Sequence, residues 1–230
     1  MDQEHIYRER ADAYDELVSA EDCDGNLLAA LRKHLPLAGA TLLDVGTGTG
    51  RVLRLMSAAG ARVLGFDRAP AMLAVATRHI RRDGLDAAVA RAEAASLPVR
   101  DGWADGAVAG WVFGHLRLWM PDGWRDAVGR GLAEMRRACR PGAPVVVIET
   151  LGTGEETPRP PTAELAEYYR WLEDDQGFVR AAIRTDYRFT SVDDAARVTG
   201  GFFGEPFAAR VRRGRWQRVP ECTGVWTDRR

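Results

Sequence analysis

The segment Asp44-Val45-Gly46-Thr47-Gly48-Thr49-Gly50 sets a carboxylate just ahead of three glycines on alternate positions, directly after the apolar pair Leu42-Leu43. Val52, Leu53, Leu55 and Met56 then take up helical spacing, so the stretch reads as a buried strand turning sharply into a helix. Glycine is needed where the backbone takes conformations closed to other residues and must approach a ligand closely. The free N–H groups of the helix start favour a carboxylate or another polar group. A dinucleotide turn, G-x-G-x-x-G, does not fit, because its third glycine counted from Gly46 would fall at Arg51. Asp67, 21 residues beyond Gly46, ends the next apolar run. A carboxylate there can accept two hydrogen bonds from ribose hydroxyls, and it also stands where a helix N-cap would. Two groups further on are suited to moving protons. His115 follows the fourth apolar run, and imidazole titrates near neutral pH; its alternative role is packing on a cofactor or bonding locally. Glu149 ends the fifth run and has a similar claim as a base.

These groups need strand ends to hold them, and the pattern supplies them. Residues 5–35 read as two helices broken at Asp22-Cys23-Asp24-Gly25-Asn26, with Tyr7, Ala11, Tyr14 and Val18 on one face. Their plain role is to cover one end of the core. Strand one spans about 41–45, and its helix stops at Gly60. Strand two spans 61–66, and Pro70 starts the following helix. Strands three to five fall at about 86–91, 105–112 and 145–148. Between the last two, Trp124, Val128, Leu132, Met135 and Cys139 form a buried helical stripe over 122–139, with Asp122 as N-cap, ended by Arg140-Pro141-Gly142. Strands alternating with helices at this rhythm predict a parallel sheet covered on both faces. Beyond Glu149, glycines and prolines mark a loop, followed by an amphipathic helix over 162–175 and an extended stretch over 178–189. A helix starts at Ser191, and two β-rich stretches, 206–213 and 216–226, form an antiparallel pair around Arg213-Gly214.

Asp44–Gly50, Asp67, Glu93–Pro98 and the helix running into Arg140-Pro141-Gly142 occur in an order that resembles the class I S-adenosylmethionine (SAM)-dependent methyltransferases over about residues 40–150. The resemblance implies an α/β fold, a Rossmann-like three-layer sandwich. Its seven-stranded, mostly parallel sheet has an antiparallel last strand, the final two strands of the chain completing it. It further implies a single domain over 1–230: a helical cap over 1–38, a SAM-binding core over 40–150, a substrate-side insertion over 151–190, and a last helix and strands over 191–230. The cofactor is then SAM, with S-adenosylhomocysteine as its product. The implied cofactor contacts are Tyr14, Asp44, Gly46, Thr47, Gly48, Asp67, Arg68, Met72, Glu93, Ala94 and Trp111, with Asp44 at the methionine amino end. Glu93 stands where the family's D-A-x-x-L-P segment has the aspartate that accepts from the adenine amino group. The implied reaction is in-line attack on the sulfonium methyl by a substrate nucleophile, assisted by a base only if the nucleophile holds its proton.

The substrate is bounded mainly by exclusion. Gly110-Trp111-Val112-Phe113-Gly114-His115 lacks the [DNS]-P-P-[YFW] signature of amino-methylating nucleic-acid enzymes and lacks the acid that metal-dependent catechol enzymes place there, so no metal is expected. What remains is an O or N atom of a small organic molecule, with His115, Tyr168, Tyr169, Arg184 and Tyr187 as pocket residues. A net charge of −1 gives no global case for nucleic acid. Lys33 is the one lysine among 32 basic residues, which points to codon bias rather than a binding surface. Three scattered cysteines form no metal or disulfide pattern and fit a reduced, cytoplasmic setting. No apolar run is long enough for a membrane span. A monomer or homodimer is expected, with a protein partner as an open option. Two other readings stay open: an enzyme on this fold that catalyses cyclisation or elimination, and a SAM-binding subunit without catalysis.

Overall fold

The computed structural model describes residues 10–228, so Tyr7 lies outside the described residues. Helices α1 (Ala11–Ser19) and α2 (Asn26–His34) lead into an alternation of strands and helices. This runs β1 (Thr41–Val45), α3 (Arg51–Ala58), β2 (Arg62–Asp67), α4 (Pro70–Asp83), β3 (Ala87–Arg91), β4 (Gly106–Gly110), α5 (Phe113–Trp119), α6 (Trp124–Ala138) and β5 (Val145–Thr153). The chain continues through α7 (Ala163–Asp174), β6 (Val179–Arg184), β7 (Tyr187–Arg188), α8 (Val192–Phe203), α9 (Glu205–Gly214), β8 (Arg218–Val219) and β9 (Glu221–Asp228).

Seven strands form one sheet in the order β3-β2-β1-β4-β5-β9-β6, with β7 and β8 paired separately. The β2–β1–β4 pairings are parallel and in register around Leu43, which faces Leu64 on one side and Ala107 on the other. β9 runs antiparallel to both β5 and β6. Strand order reverses between β1 and β4, the point where sheets of this kind open a crevice at their carboxyl edge.

Successive side chains of a strand point to opposite faces, and the core divides accordingly. Leu43, Val45, Ala107, Ala109, Val145 and Val147 meet the Trp124, Val128, Leu132 and Met135 stripe of α6 and the Tyr168, Tyr169 and Leu172 face of α7. Leu42, Val108, Val146 and Ile148 meet Leu27 and Leu31 of α2 and Val52, Leu53 and Met56 of α3. Three layers result, with the sheet in the middle.

The structure departs from the sequence reading in three places. Residues 206–213 are helical, within α9. Pro206 occupies the first turn and Ala208 and Val211 are buried three apart, a spacing that serves a helix. The sixth strand of the sheet is instead β6, from the stretch over 178–189. It is an edge strand with Val179 three-quarters exposed and arginines at 180 and 184, charges that discourage edge-to-edge pairing. Asp122 does not cap α6: Gly123 holds that position at φ 83°, with no side-chain cap. β5 also continues to Thr153, which sets Glu149 and Thr150 inside the strand, opposite Gly224 and Thr223 of β9. No helix among the described residues is long and apolar enough to cross a membrane.

Candidate functional site

The glycine loop is drawn back over the sheet edge by backbone bonds to β2. Gly46 and Thr47 donate their N–H groups to the Phe66 carbonyl at 2.7 and 2.8 Å. Gly46 is held at φ 72°, and a Cβ there would come within 2.3 Å of Val112 Cγ2, so the loop after β4 is packed onto it. At Gly48, φ 54°, the nearest atom to such a Cβ is Tyr14 Cε1 at 3.8 Å, which places α1 as a roof over the loop.

Two carboxylates fix the loop from either side. Asp44, almost fully buried, accepts through Oδ2 from the Thr47 hydroxyl at 2.6 Å and from the Leu53 amide at 3.0 Å. Burial pushes its carboxyl up to about 6, against those two hydrogen bonds. Asp67 accepts from the Gly48 amide at 2.9 Å through Oδ2 and from the Ala69 amide at 2.8 Å through Oδ1. Burial raises its carboxyl too, with the backbone donors opposing. Loop and second strand thus form one unit, and each Asp67 oxygen keeps a further lone pair for a ligand.

The other residues expected around a cofactor are distributed about this unit. Met72 is buried on α4 beside Ala11 and Val75, with Tyr14 packed against them. Arg68 is exposed, its guanidinium 5.6 Å from the Trp119 ring. Glu93 is exposed in a tight turn bridged to Ser96, and Ala94 is half-buried beside it. Trp111 takes φ 54°, uncommon for a bulky residue, and Arg51 stacks over its ring at 4.6 Å.

His115 lies in the first turn of α5, whose start Glu149 holds. Glu149 accepts from the Gly114 amide at 2.8 Å and the Tyr168 hydroxyl at 3.4 Å, and burial pushes its carboxyl up to about 8. It therefore serves the first turn of α5 as a mostly protonated acceptor near neutral pH. His115 stacks on Trp119 with ring centroids 5.0 Å apart, and burial lowers its imidazole to about 4, which keeps it neutral. Tyr168 and Tyr169 are buried in the core, with the Tyr169 hydroxyl bonded to the Thr150 carbonyl at 2.7 Å. Arg184 is held by Asp186 in an open cavity of about 510 Å³ that Asp24, Asn26, Glu156, Trp216, Arg218 and Pro220 also line. That cavity lies beyond the end of β6. Tyr187 is buried, its hydroxyl bonded to Glu21.

One group of residues was not singled out by sequence. Arg51, the first residue of α3, pairs with Glu21 at 2.6 Å; both side chains are largely buried. Glu21 in turn accepts from the Thr185 hydroxyl at 3.0 Å, which bonds Thr223 at 2.6 Å. Glu221, 1% exposed at the start of β9, accepts from the Thr150 hydroxyl at 2.7 Å. Burial first, and the Glu21 charge second, push the Glu221 carboxyl up to about 8, with the Thr153 and Thr150 hydroxyls and Arg51 opposing. No local signal marks Glu21 or Glu221, since one lies in a turn and the other opens a strand.

Residues 43–147 match the family described as a methyltransferase domain. A demethylmenaquinone methyltransferase of Thermus thermophilus is 32% identical over 138 residues, 59% of this chain and 56% of that protein. A malonyl-[acyl-carrier protein] O-methyltransferase of Pectobacterium atrosepticum is 28% identical over 167 residues, 72% and 57% of the two chains. The chain thus spans about half the length of the curated relatives it matches. Among solved structures, phosphoethanolamine N-methyltransferase 2 of Haemonchus contortus with S-adenosyl-L-methionine superposes with a TM-score of 0.61 at 15% identity, over 99% of this chain and 60% of that one. At that identity the likeness concerns the fold alone.

Proposed function

Because the chain belongs to the class I SAM-dependent methyltransferases, we propose that it transfers the methyl group of SAM to an oxygen or nitrogen atom of a small organic molecule in a biosynthetic pathway. The observation that carries this reading is the joining of loop and acid: Gly48 of the glycine turn donates to Asp67 at the tip of the second strand. That bond presents the bare backbone of Gly48 beside a carboxylate with lone pairs to spare. A ligand with vicinal hydroxyls and an ammonium–carboxylate end fits both features.

In this reading Asp67 accepts from the ribose hydroxyls, and the loop amides and Asp44 hold the methionine end. Met72 and Ala94 supply apolar walls, Glu93 accepts from the adenine amine, and Tyr14 and Trp111 close the site. SAM supplies an already activated methyl group, so the protein's task is to align an acceptor with it and exclude water. Tyr14 over Gly48, and Arg51 stacked on Trp111, are placed to do the excluding. His115, Glu149, Arg184 and Tyr187 belong to the acceptor side of the proposal. The buried, unpaired thiols of Cys139 and Cys222 suit a reducing cytoplasm.

Calorimetric titration of SAM and S-adenosylhomocysteine into the wild type and into Asp67→Ala tests the cofactor reading. Loss of hydrogen bonds to a charged acceptor, about 1.5–3 kcal/mol each, predicts a drop in affinity of at least ~10-fold. Failure of the wild type to bind either compound, or equal binding by the variant, refutes it. Labelled SAM with candidate metabolites then separates methyl transfer from a reaction that leaves the label in place.

A further inference from the structure

The Glu21–Arg51–Glu221 network holds two orphaned atoms. Arg51 Nη2 and Glu221 Oε2 are both shielded from solvent and have no hydrogen-bond partner. Burying such groups unpaired is costly, more so when they are charged, so two in one network call for an explanation. Their neighbours are accounted for. Arg51 Nη1 is taken by Glu21, the second Glu21 oxygen by Thr185 with the Tyr187 hydroxyl also bonded to Glu21, and Glu221 Oε1 by Thr150, with the Thr153 hydroxyl a second donor to the Glu221 carboxyl.

The location is suggestive as well. Arg51 follows Gly50 directly and stacks on Trp111 at the end of β4. Thr150 and Glu221 pair β5 with β9 at the same carboxyl edge, and Glu21 reaches in from the turn after α1. The network therefore abuts the glycine loop at Gly50. Arg51 lies close enough to act electrostatically on the Glu221 carboxyl, so the open donor and the open acceptor are complementary to one group that both accepts and donates.

We propose that Arg51 and Glu221 bind the acceptor hydroxyl of the substrate, with Glu221 as its catalytic base, so that the reaction is O-methylation of an acidic hydroxyl such as a phenol or enol. This rests on the methyltransferase reading above and narrows it to one atom type. The choice of oxygen follows from lone pairs. A hydroxyl donates its proton to Glu221 Oε2, accepts from Arg51 Nη2 with one lone pair, and keeps another for attack. An amine has a single lone pair, which Arg51 would occupy. In the step, the O–H proton passes to the ionised Glu221 carboxylate and the oxygen forms its bond to the methyl carbon. The carbon–sulfur bond breaks with its electron pair left on sulfur, giving the methyl ether and neutral S-adenosylhomocysteine. Arg51 stabilises the oxyanion as it develops. The other two acid–base candidates are less available. Glu149 is committed to the Gly114 amide and Tyr168, and His115 is a weak base in its apolar setting.

The matched probes 1-naphthol and 1-naphthylamine, which share a ring system and differ in the acceptor atom, test this on the full chain. Calorimetry on the S-adenosylhomocysteine-loaded protein should show naphthol binding at least ~10-fold tighter than the amine, the worth of one charge-assisted hydrogen bond. Labelled methyl should reach naphthol and not naphthylamine. Glu221→Gln should lower turnover ~100-fold or more, the usual share of a general base, with S-adenosylhomocysteine affinity changed less than ~2-fold. It should also remove the rise of rate towards pH 8. The charged and titratable groups facing Glu221 are Glu21 from the α1–α2 turn, Arg51 from α3, Tyr169 from α7, Asp186 from the β6–β7 link, Tyr187 from β7 and Cys222 beside it on β9. Should Glu221→Gln fail to fold, Thr150→Val removes the donor that positions the carboxylate; turnover should fall, and Thr150→Ser should restore it. Equal or better binding or methylation of the amine, no binding of naphthol, or unchanged turnover in Glu221→Gln overturns the proposal. Failure to bind S-adenosylhomocysteine at all refutes the cofactor reading itself, a separate result.

Discussion

Glu149→Gln isolates a buried ionisation whose effect on stability can be worked through. Glu149 is 3% exposed and its carboxyl is pushed from an ordinary 4.5 to about 8. The folded chain therefore binds a proton here that the unfolded chain has already released between those two values. A carboxyl raised in this way contributes stability that is fully present below about 4.5 and is lost as pH climbs to about 8. At about 1.4 kcal/mol per pH unit, the whole window amounts to about 5 kcal/mol. Glutamine keeps an oxygen to accept from Gly114 at the start of α5 and cannot ionise. Urea unfolding of both proteins at pH 5, 6, 7 and 8 reads the difference directly. The variant should gain about 4 kcal/mol on the wild type between pH 5 and 8, or roughly 10 °C in melting temperature for a domain of this size. Taking the difference cancels other groups, Glu221 included, that also lose stability as pH rises. A difference that stays level across that range would mean Glu149 is ionised in the folded protein, and the burial argument fails.

Three other outcomes follow from the same contacts. Gly46→Ala puts a methyl 2.3 Å from Val112 Cγ2 at φ 72°, so it should cost about 2–4 kcal/mol in denaturant melts and weaken SAM binding. Replacing Arg51 by Met leaves Glu21 buried without its cation, a loss of about 3–5 kcal/mol; pairing it with Glu21→Gln should recover at least ~1 kcal/mol in a double-mutant cycle. The His115 ring proton followed by NMR should show a midpoint near 4 and no titration between pH 6 and 8; a midpoint above 6 would restore it as a base.

The sequence announces the parts of this molecule whose function is local. Asp44, Gly46 and Gly48 lie within a few residues of one another, and Asp67 follows at the next strand end, so spacing alone relates them. The α6 stripe is legible for the same reason. Residues 206–213 mislead because Phe207, Arg210 and Val211 suit a strand as well as a helix in so short a window, and packing on α8 decides between them. The Arg51 network is hidden for another reason. Its bonds span 30 residues to Glu21, 164 from there to Thr185, and 71 between Thr150 and Glu221. Arg51 reads at first as no more than the residue that spoils a dinucleotide pattern, because its partners become neighbours only once the sheet is closed.

That closure depends on β9, which lies between β5 and β6 although it follows both in the chain. A ribosome delivers the chain from its N-terminus, so β1 to β5 and the glycine loop emerge while the slot beside β5 is still open. Until β9 arrives, β5 is an unpaired edge and β6 has no neighbour in the sheet. The cofactor loop can therefore form before β9 is made, but Glu221, which opens β9, cannot take its place beside Thr150 until that strand is inserted. Aggregation during synthesis should concentrate at the β5 edge, and any chaperone acting on the nascent chain has that one strand to shield.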